Sequence, residues 1–109
     1  MPEQDSFDCI TVVIPTYNRE QVLGRAIQGY LSQSSAHLIN ELIVVDDGST
    51  DRTETVVREA STRSKFPIRY LRQVNRGPAA ARNRGLREAR SALVLFTDSD
   101  IVPAPDLVE

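Results

Sequence analysis

The sequence predicts an α/β fold: a three-layer α/β/α sandwich around a mostly parallel sheet. Two observations predict it. Short apolar, β-branched runs alternate with longer amphipathic stretches along the chain. The residues with chemical potential cluster directly after the short runs, and parallel sheets bind ligands at the carboxyl ends of their strands. The order strand, helix, strand, helix, strand, helix, strand calls for right-handed crossovers, which put helices on both faces.

Residues 10–14 (Ile10, Thr11, Val12, Val13, Ile14) read as a buried strand stopped by Pro15. Over residues 19–33, Val22, Leu23, Ala26, Ile27, Tyr30 and Leu31 recur at the spacing of one helix face. His37 stands in a loop beside Ala36 and Leu38, and the pattern assigns it no role. Residues 42–45 form a second buried strand, running into Asp46, Asp47, Gly48, Ser49, Thr50 and Asp51. Asp51 followed by Glu54 has the spacing of a helix cap with its return partner. That helix continues through Val56, Val57 and Ala60. Residues 68–71 are a third strand, placed at an edge by Arg69 and Arg72. Gly77 and Pro78 open the next helix, with proline suited to its first position, and residues 79–89 carry it. Residues 93–96 are wholly apolar, as a central strand flanked on both sides would be. They run into Thr97, Asp98, Ser99 and Asp100.

The 109 residues suit one domain, 1–109, with one core. No apolar run approaches the roughly 20 residues of a membrane helix. The N-terminus is acidic and polar, unlike a signal peptide. Cys9 is the single cysteine, which fits a reducing, cytoplasmic setting. Net charge is only -2, but residues 63–90 hold nine basic residues and one acid, Glu88. Such a stretch suits nucleic acid, lipid head groups or ligand phosphates, or else is a solvated helix face. Binders of single-stranded nucleic acid interleave aromatics with their basic residues. Here only Phe66 and Tyr70 occur, both before the basic helix, so no nucleic-acid partner is expected.

Asp98 and Asp100 concentrate negative charge at a strand end. At a ~4–5 Å separation and an effective dielectric near 20, two carboxylates repel by roughly 3–4 kcal/mol. A divalent cation offsets that repulsion, and hard carboxylate oxygens suit magnesium or manganese. Asp46 and Asp47 are a second acidic pair, hard to solvate in a sheet covered on both faces. Each is therefore satisfied by backbone amides or used on a ligand. The expected division makes Asp46 structural and turns Asp47 toward a base or ribose. Tyr17 offers a ring that can stack on a nucleobase. Arg82 and Asn83 lie one turn inside the helix after Gly77, where an arginine suits a diphosphate. A phosphotransfer enzyme of the haloacid-dehalogenase type also places Asp-x-Asp after a buried strand. That chemistry wants glycine and threonine next, and here Ile101 and Val102 follow.

Four blocks in order resemble family 2 glycosyltransferases of the Rossmann-like GT-A fold. They are residues 12–19 with Pro15, Thr16, Tyr17 and Asn18, residues 43–51 with Asp46 and Asp47, residues 75–83 with Gly77 and Arg82, and residues 96–100. The resemblance implies a nucleoside-diphosphate sugar, most often a UDP-sugar, held with Mn2+ or Mg2+ and transferred with inversion. It implies that Pro15, Thr16, Tyr17 and Asn18 line the nucleotide, with Pro15 and Tyr17 bordering the base. Asp47 then binds the base, Asp98 lies by the ribose or sugar, and Asp100 holds the metal and diphosphate, with Asp98 beside it on the metal. Ile101 stands where many members carry a further aspartate. The acceptor, whether glycan, lipid or protein, is not named by the sequence. The resemblance also puts the acceptor site and catalytic base in a following half. No catalytic residue is therefore expected within these 109 residues, which as they stand should bind donor poorly, transfer no sugar and tend to form a homodimer.

Overall fold

The computed structural model describes residues 10–33, 36–91 and 93–97. Its elements run β1 Ile10–Thr16, α1 Glu20–Leu31, a 3-10 turn Ala36–Leu38, β2 Ile39–Asp46, α2 Thr53–Ser61, β3 Ile68–Arg72, α3 Pro78–Glu88 and β4 Leu93–Phe96. The four strands form one sheet in the order β3-β2-β1-β4, and every described pairing is parallel. The Rossmann-like α/β expectation holds. No described helix is long and apolar enough to cross a membrane.

Side-chain alternation along the central strands divides the core in two. Val12, Ile14, Leu42 and Val44 point to one face and meet Leu23, Ile27, Tyr30, Val57 and Phe66 beneath α1 and α2. Val13, Ile43 and Val45 point to the other face and meet Ala81 of α3. A fully buried Val, Leu or Ile contributes about 1.5–3 kcal/mol, so β1 and β2 dominate the stability. Helix α3 lies unusually close to β1: a Cβ built on Gly85 would stand 2.3 Å from Val13 Cγ1.

Several boundaries differ from the sequence expectation. β1 does not stop before Pro15 but runs through it to Thr16. The carbonyl of Val13 accepts from the Thr97 amide at 3.1 Å, and that of Thr16 from the Asp47 amide at 2.9 Å. Odd-numbered residues of β1 therefore turn their polar groups toward β4. The missing N–H of Pro15 falls on that side, beyond the last rung Val13↔Phe96, so the pairing with β2 is undisturbed. β2 begins three residues earlier than the apolar run, because Glu41 is buried with partners of its own. Among the described residues β4 pairs with β1 alone, and Leu93 and Phe96 are exposed, where a strand covered on both sides was expected. β3 is at an edge, as Arg69 and Arg72 suggested.

Asp51 caps α2, but not with Glu54 as return partner. Its Oδ1 accepts from the Thr53 amide at 3.1 Å and the Thr53 hydroxyl at 2.5 Å. Glu54 points along the helix to Arg58 instead, an exposed i,i+4 pair worth a few tenths of a kcal/mol.

Candidate functional site

The strand order reverses at β1, with β2 and β3 on one side and β4 on the other. In such sheets the ligand crevice opens at the carboxyl ends of the strands flanking that reversal. Pro15 helps to open it. The rung after Thr97 N–H to Val13 C=O would need an N–H from residue 15, which proline lacks. Thr97 is the residue before Asp98.

The two aspartates at the end of β2 are both held by protein donors, each by a different set. Asp46 is fully buried. Its Oδ1 accepts from the Ser49 amide at 2.8 Å, which closes the turn through Gly48. Its Oδ2 accepts from the Tyr70 hydroxyl and from Arg72 at 3.4 Å. Burial and the adjacent Asp46 carboxylate push the Tyr70 phenol up to about 12, so it stays a donor. Asp46 is thus a brace between β2, β3 and the following turn.

Asp47 reaches across to the β3–α3 loop. Its Oδ1 accepts from Gln73 Nε2 at 2.9 Å and the Arg76 amide at 2.8 Å, and its Oδ2 from the Gly77 amide at 2.9 Å. Burial works to raise its pKa, but the bonds from Gln73, Arg76 and Gly77 prevail and hold the carboxyl below the usual range. A carboxylate has about four lone-pair sites. Three donors leave Oδ2 able to accept one more hydrogen bond.

The β1–α1 loop lies alongside. Pro15 and Thr16 are buried, and the Thr16 hydroxyl is closed off without a partner among the described residues. Tyr17 is 47% exposed and free to present its ring. Asn18 has a positive φ of 51°, a conformation asparagine tolerates better than most residues. Its side-chain oxygen accepts from the Thr50 amide at 2.7 Å, so it is engaged with the neighbouring loop. The fold therefore brings Thr16, Tyr17, Asn18 and Asp47 together. Arg82 lies on the exposed surface of α3 and makes no hydrogen bond or ion pair among the described residues. Asp98 and Asp100 lie outside the described residues.

The glycosyl transferase family 2 model matches residues 11–109. The chain belongs to that family. It is 38% identical over 100 residues to an uncharacterized glycosyltransferase of Haemophilus influenzae, covering 92% of this chain and 39% of that one. The fold is similar to S. aureus TarS 1-349 in complex with UDP, with a TM-score of 0.80 and 31% identity over 90% of this chain and 29% of that 1-349 chain. It is equally similar to the Pyrobaculum calidifontis mannosyltransferase PcManGT in complex with GDP-Man and Mn2+, with a TM-score of 0.80 and 31% identity over 88% of this chain and 29% of that one. The chain thus spans well under half of the relatives it matches.

As a site for a metal, the described part of this chain offers little. No group of three or more His, Cys, Asp or Glu side chains among the described residues could hold an ion. Asp46 and Asp47 are committed to protein donors. Asp98 and Asp100, the carboxylates that the sequence offers for magnesium or manganese, lie outside the described residues.

Sequence reasoning missed two features of the chain. Gln73 and the amides of Arg76 and Gly77, which secure Asp47, carry no side-chain motif of their own. The one signal was Gly77, whose φ of 96° lets the loop turn its amides inward. At the amino end of the sheet, buried Glu41 accepts from Thr11 Oγ1 at 2.9 Å, the Arg90 amide at 2.7 Å and Arg69 at 3.2 Å. Arg69 also holds Glu88 at 2.8 Å. Part of the basic stretch is therefore spent on ties within the fold. Breaking a buried, paired charge costs about 3–5 kcal/mol. Glu41→Leu, far from the crevice, is expected to lower stability by an amount in that range in chemical denaturation, while nucleotide affinity stays unchanged at temperatures where the variant is folded.

Proposed function

We propose that this chain forms the donor-binding part of an inverting glycosyltransferase that takes a nucleoside-diphosphate sugar, a UDP-sugar first among them. The observation that carries this reading is the likeness in fold, at a TM-score of 0.80, to TarS with UDP and to PcManGT with GDP-Man and Mn2+. In this chain the corresponding sheet ends in Tyr17, exposed, beside Asp47, buried and ionised. A ring N–H, such as that of uracil or guanine, would donate to the open position on Asp47 Oδ2 while Tyr17 stacks on the base. Arg82 would meet the diphosphate. Asp100, with Asp98, would hold Mn2+ or Mg2+, which supplies Lewis-acid stabilisation of the departing diphosphate.

Transfer also needs a base to take the acceptor's proton. The described carboxylates at this end are committed to the fold, and we assign none of them that role. The acceptor and the base belong to whatever else the protein contains. A cytoplasmic setting is part of this reading, supported by the single Cys9.

The test is a calorimetric titration of uridine and UDP with and without manganese. Tyr17→Ala is expected to weaken both ligands alike, about tenfold, in line with the ~1–3 kcal/mol of a base stack. Asp100→Ala is expected to leave uridine unaffected and to remove the manganese dependence of UDP binding. Equal UDP affinity in parent and Asp100→Ala at saturating manganese would reject the metal assignment. A fall in melting temperature in Tyr17→Ala with nucleoside affinity intact would make Tyr17 a packing residue.

A further inference from the structure

The loop after β1 and the loop after β2 are tied by two reciprocal pairs of hydrogen bonds. In the first pair, the Asn18 amide donates to Ser49 Oγ at 2.8 Å, and the Thr50 amide donates to Asn18 Oδ1 at 2.7 Å. In the second, the Glu20 amide donates to Asp51 Oδ2 at 3.2 Å, and the Arg52 amide donates to Glu20 Oε1 at 3.1 Å. Each loop thus supplies side-chain acceptors for the other's backbone donors. Glu20 opens α1, and Arg52 and Thr53 open α2, so the same bonds satisfy amides that a helix start leaves unpaired. Hydrogen bonds from Thr53 and from the Glu20 and Thr53 amides outweigh burial and hold Asp51 below the usual carboxylate range.

The position of this clasp matters. Tyr17 has Thr16 before it, whose carbonyl takes the Asp47 amide, and Asn18 after it, whose amide goes to Ser49. The backbone of Tyr17 is therefore staked on both sides to the segment that carries Asp47, although its ring is exposed. A flat aromatic acceptor for a base is useful only if it cannot swing away from the group that reads the base's edge.

We propose that Asn18 and Glu20 are positioning residues, which hold Tyr17 in register with Asp47 by clasping the two loops and do not themselves touch the nucleotide. This rests on the nucleotide-binding reading above. It gives Asn18 a different role from the direct contact that the family resemblance implies.

The roles separate cleanly by substitution in the full chain, with uridine and guanosine as uncharged probes. Asn18→Gly keeps the positive φ but loses the acceptor for Thr50 and is expected to weaken the better-bound nucleoside about tenfold. Asn18→Asp keeps both the acceptor and the tolerance of that φ but loses the side-chain NH2. It is expected to restore most of the affinity relative to Asn18→Gly. Glu20→Gln is likewise expected to restore what Glu20→Ala loses. Amide exchange reads the clasp without any ligand: the Thr50 N–H should exchange at least tenfold faster in Asn18→Gly and at nearly the parent rate in Asn18→Asp.

Two results would overturn the proposal. If Asn18→Asp is as weak as Asn18→Gly while its Thr50 amide stays protected, the Asn18 NH2 contacts the nucleoside directly. If Asn18→Gly exposes the Thr50 amide yet binds nucleoside as the parent does, the clasp serves folding alone. A parent protein with a protected Thr50 amide that binds neither nucleoside marks failure of the nucleotide-binding reading itself, and the positioning role falls with it.

Discussion

Asp47→Asn is expected to weaken uridine and UDP by about ten- to a hundredfold and to destabilise the fold by about 1.5–3 kcal/mol, the range for hydrogen bonds to a charged group. The substitution is nearly isosteric, so the effect comes from hydrogen-bond polarity. Both oxygens of Asp47 face N–H donors: Gln73 and the Arg76 amide on one, the Gly77 amide on the other. An asparagine must turn its NH2 toward one of these, whichever way it is flipped, and leave two donors facing each other. The β3–α3 loop would loosen at the same time as the acceptor for a base is lost. The pH dependence has a definite sign. The Asp47 carboxyl is held below its ordinary value. Its contribution is therefore fully present above the unfolded pKa, about 3.9, and is lost as pH falls through the lower folded value. Stability and nucleoside affinity should accordingly be flat in this respect from about pH 8 to 5. Urea denaturation and titration at several pH values check both. Parent-like affinity in Asp47→Asn would remove Asp47 from the binding site.

Gly85→Ala is expected to cost about 3 kcal/mol, at the upper end for overpacking, and to leave the crevice chemistry untouched. Alanine is ordinarily the better helix residue by about 1 kcal/mol, so propensity alone predicts stabilisation. The added Cβ would lie 2.3 Å from Val13 Cγ1 and 3.2 Å from Val13 Cγ2. Val13 cannot yield, because it is a β-branched residue fixed on a central strand between β2 and β4. Helix α3 would have to lift off the sheet. The double variant Val13→Ala with Gly85→Ala should recover part of the loss, as a non-additive pair in direct contact does. A single Gly85→Ala variant as stable as the parent would show that α3 sits on the sheet loosely.

Much of the site's location was legible in the sequence. Asp46 and Asp47 follow an apolar, β-branched run, which puts them at a strand end where something must satisfy them. The sequence hints at a division of labour between them, but the strand register decides it. Asp46 turns to Tyr70 and Arg72 because β3 pairs with β2 in a register that sets Asp46 opposite Arg72. Asp47, one residue on, points to the β3–α3 loop. The Asp51–Glu54 spacing misled for a related reason. Local spacing offers Glu54 as the return partner, but the fold sets Glu20 close to the same helix start, from 32 residues away in sequence.

The sequence by itself determined what repeats over a few residues. The period-two and 3.6-residue patterns fix which segments are strands and helices, which faces are apolar, and that the alternation must give parallel strands with crossovers. Proline before a helix and aspartates after a strand are equally local. Tertiary structure alone decided the contacts between loops. Thr50 finds Asn18, and Ser49 finds the Asn18 amide, across separations of 32 and 31 residues, because a βα crossover brings them to the same end of adjacent parallel strands. Burial of Glu41 among Thr11, Arg69 and the Arg90 amide, and the tolerance of Pro15 inside β1, depend in the same way on strand order and register. Those are properties of the assembled sheet. A hydrogen bond that spans about thirty residues of sequence leaves no periodic trace in the chain, because its partners are chosen by where the strands lie and not by what surrounds each residue locally.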